Sequence, residues 1–144
     1  MRSTPAPSTS AGCAHSFTPV RRRVLVIDDS PLIREAAAIA LERVAGFEVL
    51  AFESAELGIE AAQRACPDAI LLDLVMPGLD GASAARQLAA DPATRTIPVV
   101  LMTAAERESG AEPLAGIPAR GVIAKPFAVA TLGVQLRALL GWSP

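Results

Sequence analysis

The chain has 144 residues, a formal net charge of −2, 51% apolar residues and 3% aromatic ones, with no tyrosine. That size suits one domain with a substantial core. The charge and the scarcity of aromatics exclude a basic or base-stacking nucleic-acid surface, and no apolar run is long enough to span a bilayer.

Residues 1–22 are rich in Ser, Thr, Pro and Ala. Such a stretch buries too little surface to order itself and reads as a disordered tail. It holds His15, the only histidine, so neither a His-based metal site nor a Ser-His-Asp triad has a candidate in the folded part. Cys13 and Cys66 form no CxxC pair, and reduced thiols in a cytoplasmic protein are expected. No apolar segment precedes Cys13, which argues against a signal peptide.

The folded domain is expected over 23–141. Val24–Ile27 is a short β-branched run, hence a buried strand. Asp28-Asp29-Ser30-Pro31 follows, with Ser30 as N-cap and Pro31 at the first helical position. Ile33, Ala37, Leu41 and Val44 then recur at helical spacing, and Gly46 ends that helix. Phe47–Phe52 reads as a second strand. A helix from Glu53-Ser54 turns Leu57, Ala61 and Ala65 inward and closes at Cys66-Pro67-Asp68.

Ala69–Leu72 is an uninterrupted apolar run leading to Asp73, which suits a strand buried on both faces of a parallel sheet. Pro77-Gly78 and Asp80-Gly81 mark the loop after it. A short helix over Ala82–Ala90 stops at Asp91-Pro92. Ile97–Met102 is a fourth strand ending in Thr103. Glu106–Leu114 is predicted as a short helix weakened by Gly110 and Pro113. Gly121–Ala124 is a fifth strand, followed by Lys125-Pro126-Phe127. The last helix spans Ala128–Leu140, with Val129, Leu132, Leu136 and Leu139 inward. Strands joined by single helices imply an α/β fold, doubly wound around a five-stranded parallel sheet.

In such a sheet the strands' carboxyl ends share one edge, where ligands bind. Asp28, Asp29, Asp73, Thr103 and Lys125 all fall there. Each alone has an ordinary explanation: Asp29 and Thr103 as helix caps, Asp73 as a loop brace, Lys125 as a solvated cation. Together they form a set. Three crowded carboxylates raise one another's pKa, and a hard divalent cation such as Mg²⁺ relieves that with oxygen ligands. A carboxylate nucleophile beside a metal, with a lysine and a hydroxyl opposite, is equipped for phosphoryl transfer.

VLVIDDS (Val24–Ser30), LLDLVMPGLDG (Leu71–Gly81), VVLMTA (Val99–Ala104) and IAKPF (Ile123–Phe127) together resemble the receiver domain of two-component response regulators, over about Arg23 to Leu140. The resemblance implies a flavodoxin-like receiver fold with strand order 2-1-3-4-5. It implies Asp73 as phosphoacceptor, with Asp28, Asp29, Asp73 and the backbone carbonyl of Val75 around Mg²⁺. Thr103, Ala104 and Lys125 would contact the phosphoryl group, and Pro126 matches a proline that is often cis. Thr103 and the position of Val122 would form the switch, although receivers usually carry an aromatic where Val122 stands.

The implied function is a single-domain response regulator rather than an enzyme turning over a substrate. The implied phosphodonor is a sensor histidine kinase or a histidine phosphotransfer protein, and the output an unidentified downstream protein, with no direct nucleic-acid or membrane contact. Two alternatives stand beside it. One is a degenerate receiver that binds partners without phosphorylation. The other is an aspartyl-phosphate phosphatase of the haloacid-dehalogenase type, opposed by Val75 where such enzymes carry a second acid.

Overall fold

A computed structural model describes residues 21–104 and 116–143. Most of the expected 1–22 tail and the helix predicted over Glu106–Leu114 lie outside the described residues. Five strands are present: β1 (Arg23–Ile27), β2 (Glu48–Phe52), β3 (Ala69–Asp73), β4 (Val99–Ala104) and β5 (Gly121–Lys125). They form one sheet in the order β2-β1-β3-β4-β5, as the family resemblance implies. Every neighbouring pair is parallel, with Asp73 opposite Met102 and Ala104 opposite Lys125 in register.

Four helices complete the described chain: α1 (Pro31–Ala38), α2 (Ala55–Ala65), α3 (Gly81–Ala90) and α4 (Leu132–Leu140). Successive residues of a strand point to opposite faces, and this sorts the core into two layers. Leu25, Ile27, Ile70, Leu72 and Leu101 pack toward α2 and α3. Val24, Val26, Leu71, Val100 and Met102 pack toward α1 and α4. The central strand β3 is buried along its whole length, Asp73 included.

The helices depart from the expected phases in three places. First, α1 continues as a π-helical turn over Ile39–Val44, where the Ala45 N–H donates to the Ala40 carbonyl at 3.1 Å. The wider turn shifts the stripe, so Ala40 and Leu41 are buried while Val44, expected inward, is exposed. Second, α2 buries Ala55, Gly58 and Ala62 instead of the Leu57 stripe. A Cβ on Gly58 would run into the Ile27 side chain, so the missing side chain is what lets α2 approach the sheet. Leu57 consequently sits 45% exposed at the outer edge. Third, α4 begins at Leu132, after a turn in which Thr131 N–H bonds the Ala128 carbonyl. Val129 therefore lies outside the helix and is exposed.

The expectation of a reduced thiol at Cys66 is also corrected. Cys66 is disulfide-bonded, and its partner lies outside the described residues. Cys66 closes α2 in the left-handed region at φ 51°, a role more often given to glycine.

Gly81 fixes the loop that follows Asp73. A Cβ there would overlap the Asp73 carbonyl oxygen and stand 2.6 Å from the Leu74 Cα. Those are backbone atoms of the central strand and cannot give way. Gly81→Ala is expected to lower stability by roughly 2–3 kcal/mol in urea denaturation. Gly58→Ala, which meets side-chain atoms of Ile27 and no backbone, is expected to cost less.

Candidate functional site

The carboxyl edge of the sheet is built by strand ends that stop at polar residues. β1 delivers Asp28 and Asp29, β3 Asp73, β4 Thr103 and Ala104, and β5 Lys125. Asp73 and Lys125 share the strand parity of Leu71 and Ile123, and Asp28 continues that of Val26. All three therefore turn to the α1–α4 face, where they meet. Lys125 Nζ donates to Asp28 Oδ2 at 3.2 Å and to Asp73 Oδ1 at 3.1 Å.

Both carboxylates are nearly out of solvent, Asp28 at 0% and Asp73 at 3% exposure. Asp28 is held from both ends. The Ser30 N–H donates to its Oδ1 at 2.9 Å, and the Arg34 guanidinium donates to its backbone carbonyl at 2.8 Å. Ser30 also caps α1 by accepting from Ile33 N–H. Its brace on Asp28 follows from the same turn geometry. Arg34 was not singled out from sequence, and a side chain reaching a main-chain carbonyl leaves no spacing signal.

Asp29 is exposed, yet its carboxylate belongs to the cluster. One oxygen from each of Asp28, Asp29 and Asp73 lies within 4.8 Å of the others. Among the described residues one ammonium, bonded to Asp28 and Asp73, stands against these three carboxylates, leaving uncompensated negative charge around an all-oxygen donor set. Such a set suits a hard divalent cation. The Val75 N–H donates to Asp73 Oδ1 at 3.4 Å, a long bond, which places the Val75 backbone beside the acceptor carboxylate.

Thr103 is positioned differently. It has the parity of Leu101, whose side chain packs toward α2 and α3. It is buried, and its hydroxyl donates to the Ala104 carbonyl at 3.5 Å. Among the described residues it is not bonded to Asp73 or Lys125. Ala104 stands opposite Lys125 in register and carries only a methyl side chain. Val122 is partly buried against the α2–α3 layer. The Lys125–Pro126 peptide bond is cis, matching the expectation for Pro126.

Burial raises the pKa of Asp73 above its ordinary 3.8, and the Asp28 charge adds to this against the opposing pull of Lys125. For Lys125, burial works against the charge, but Asp28 and Asp73 outweigh it and hold the ammonium above its ordinary 10.5. Both shifts describe one charge-crowded centre.

Two stability tests follow from this crowding. A carboxyl whose pKa is raised on folding contributes stability that is full below its unfolded value and lost as pH rises through the folded one. Asp73→Asn is therefore expected to raise the unfolding midpoint of the metal-free protein at pH 7. That gain should shrink toward zero as pH falls to about 3.8. Lys125→Ala strands two buried carboxylates and is expected to cost roughly 3 kcal/mol. Asp73→Asn in the Lys125→Ala background should recover part of that loss, so that thermal melts of the double-mutant cycle are non-additive.

Residues 24–137 match the family model described as the response regulator receiver domain. The chain is 36% identical over 118 residues to Protein PilH of Pseudomonas aeruginosa, covering 82% of this chain and 97% of PilH. It is 36% identical over 121 residues to the phosphate regulon transcriptional regulatory protein PhoB of the same species, covering 84% of this chain. The chain spans about half the length of PhoB, at 52%. Among solved structures, it is similar to the receiver domain of sensor histidine kinase PA1611 from Pseudomonas aeruginosa, described with magnesium coordinated in its active-site cleft. That likeness has a TM-score of 0.75 and 28% identity, and covers 85% of this chain and 99% of the other. With the family model spanning most of the chain and the charged cluster standing at the sheet edge, this chain belongs to the response regulator receiver domains of two-component signalling.

Proposed function

We propose that this receiver takes a phosphoryl group from a phosphohistidine of a sensor kinase or histidine phosphotransfer protein onto Asp73, with Mg²⁺, and thereby switches its binding to a downstream protein. The observation that carries this reading is the convergence of Asp28, Asp29, Asp73 and Lys125, from three separate strands, at one point.

Asp28, Asp29 and Asp73, with the Val75 carbonyl, would hold the cation. The ion would supply charge neutralisation for the incoming phosphoryl oxygens. The chain's own groups do the rest. Asp73 attacks phosphorus in line through a carboxylate oxygen and forms the acyl phosphate, while the donor histidine leaves. Lys125, already 3.1 Å from that carboxylate, pairs with a phosphoryl oxygen. Ala104 leaves room for the group. The Thr103 hydroxyl turns toward it and becomes a donor. Phosphorylation adds nearly two negative charges and three strong acceptors, which would draw the Thr103 hydroxyl from the Ala104 carbonyl and bias the adjoining loops.

The proposed activity is a switch and not enzymatic turnover. The long-range output differs from the common receiver pattern, because Val122 has no aromatic ring to follow Thr103. This residue is also what keeps the phosphorylation-independent binder as the second reading.

Incubation with acetyl phosphate and Mg²⁺, followed by intact-mass measurement, tests the reading. One added phosphoryl group is expected on the wild type and none on Asp73→Ala. Asp29→Asn is expected to slow the reaction by at least about tenfold, as losses of metal-supporting groups do. No modification of the wild type would favour the phosphorylation-independent binder, and release of phosphate with turnover would favour the phosphatase.

The lifetime of the acyl phosphate is a second test. Val75, 52% exposed beside Asp73, and Ala105 offer no side-chain acid or amide to orient an attacking water. A long-lived acyl phosphate is expected, shortened by Val75→Glu or Ala105→Glu. Rapid loss from the wild type, unchanged by either substitution, would refute this.

A further inference from the structure

A groove of about 360 Å³ runs along the free edge of the sheet, between β2 and α2. Leu50, Phe52, Leu57, Ala61 and Ala65 line it. Glu60 and Arg64 also border it, joined to each other at 3.0 Å. Among the described residues no strand lies beyond β2 on this side. The residue directly after Ala65 is Cys66, which is disulfide-bonded to a residue outside the described ones. The sequence contains one other cysteine, Cys13.

We propose that the β2–α2 groove is the docking site of this chain's own residues 14–20, held there by a Cys13–Cys66 disulfide, with Phe17 as the apolar anchor.

The two ends of the segment are brought to one edge of the molecule. Arg21 leads directly into β1, and the Arg23 guanidinium donates to the Ala65 carbonyl at 2.9 Å, one residue before Cys66. Asp68 N–H also bonds the Arg23 carbonyl at 2.7 Å. Seven residues, Ala14–Val20, join Cys13 to Arg21. Fully extended they span at most about 25 Å, so the middle of the loop reaches about 12 Å from anchors that lie together. The rise along α2 from Ala65 back to Leu57 is also about 12 Å. Phe17 stands at the middle of the seven and is the only aromatic residue of the chain before Phe47. Covering Leu57 and Leu50 with its ring would remove apolar surface from water on both sides.

The bond forms by two thiol–disulfide exchanges with a small-molecule disulfide such as oxidised glutathione. The Cys66 thiolate attacks one glutathione sulfur, breaking the glutathione S–S bond and releasing one glutathione thiolate. The Cys13 thiolate then attacks the Cys66 sulfur and releases the second. The two protein thiols are oxidised, the two glutathione sulfurs are reduced, and both protons end on glutathione. An excess of reduced glutathione reverses both exchanges, giving two protein thiols and glutathione disulfide, and so frees the segment and opens the groove.

The test uses the full chain, oxidised with glutathione disulfide or reduced with dithiothreitol. Non-reducing tryptic mapping of the oxidised protein is expected to give a linked pair of residues 3–21 and 65–86, lost in Cys13→Ser. The methyl resonances of Leu50 and Leu57 are expected to move between the reduced and oxidised wild type, and to stay in place in Phe17→Ala. Dimers linked Cys66 to Cys66, or two free thiols after oxidation, would overturn the proposal. So would methyl resonances that ignore oxidation, that shift equally in Phe17→Ala, or that move only with protein concentration, as a second copy in the groove would make them do.

Discussion

Lys125 Nζ stands 3.1 Å from one oxygen of Asp73 and 3.2 Å from one of Asp28, and the carboxyl edge of the sheet is arranged around that shared charge. Two carboxylates this deeply buried would repel each other and resist ionisation. The lysine makes their proximity tolerable, and it does so incompletely, since burial and the Asp28 charge still leave Asp73 harder to ionise than usual. That deficit, with the Asp29 carboxylate close by, is the feature a cation would satisfy. A site that is electrostatically comfortable when empty would have little reason to take up either a metal or a phosphoryl group.

The sheet exists, in this sense, to set that distance. β1, β3 and β5 each end one residue before or at their charged residue, and parallel pairing brings those ends to one line. Gly81 belongs to the same arrangement. A Cβ in place of its hydrogen would overlap the Asp73 carbonyl oxygen, and its N–H bonds the Leu74 carbonyl at 3.0 Å. The loop after the acceptor can therefore fold back tightly into α3, with Asp80 capping that helix through Ser83 N–H.

Strand ends were legible because the signal is binary: four or five apolar residues, then a charge. Strand order follows from the resemblance of the whole motif set, and Asp28, Asp29, Asp73 and Lys125 meet as that set implies. Helix phases are less legible, because apolar periodicity gives most weight to large residues. In α2 the residue that faces the sheet is Gly58, and the large Leu57 is displaced outward. A glycine inside a helix costs stability, so its presence was itself a sign of close packing. The π turn after α1 left no such sign, since each bond there is an ordinary backbone bond at a different spacing. The state of Cys66 is not legible, because compartment averages say nothing about a particular pair. Arg34 was missed because its partner is a main-chain atom.

Thr103 stands apart from Asp28, Asp29, Asp73 and Lys125, and the reason is geometric. It occupies the strand face opposite Asp73 and Lys125, on the α2–α3 side. A hydroxyl there cannot serve a phosphoryl group without rotating or shifting the end of β4. On the proposed reading this separation is useful, because a residue already bonded to the site would have nothing to transmit. Beside Thr103 lies Ala124, and two residues before it Val122, partly buried against the α2–α3 layer. Valine is β-branched and stiff at χ1, so it cannot swing inward as a long aromatic ring can. Any movement of Thr103 would have to spread through the backbone at the end of β4 and the segment that follows it, instead of through the side chain on β5. The residues at the edge are therefore those the family resemblance implies, while on the proposed reading the route to a partner surface is set by this chain's own residues.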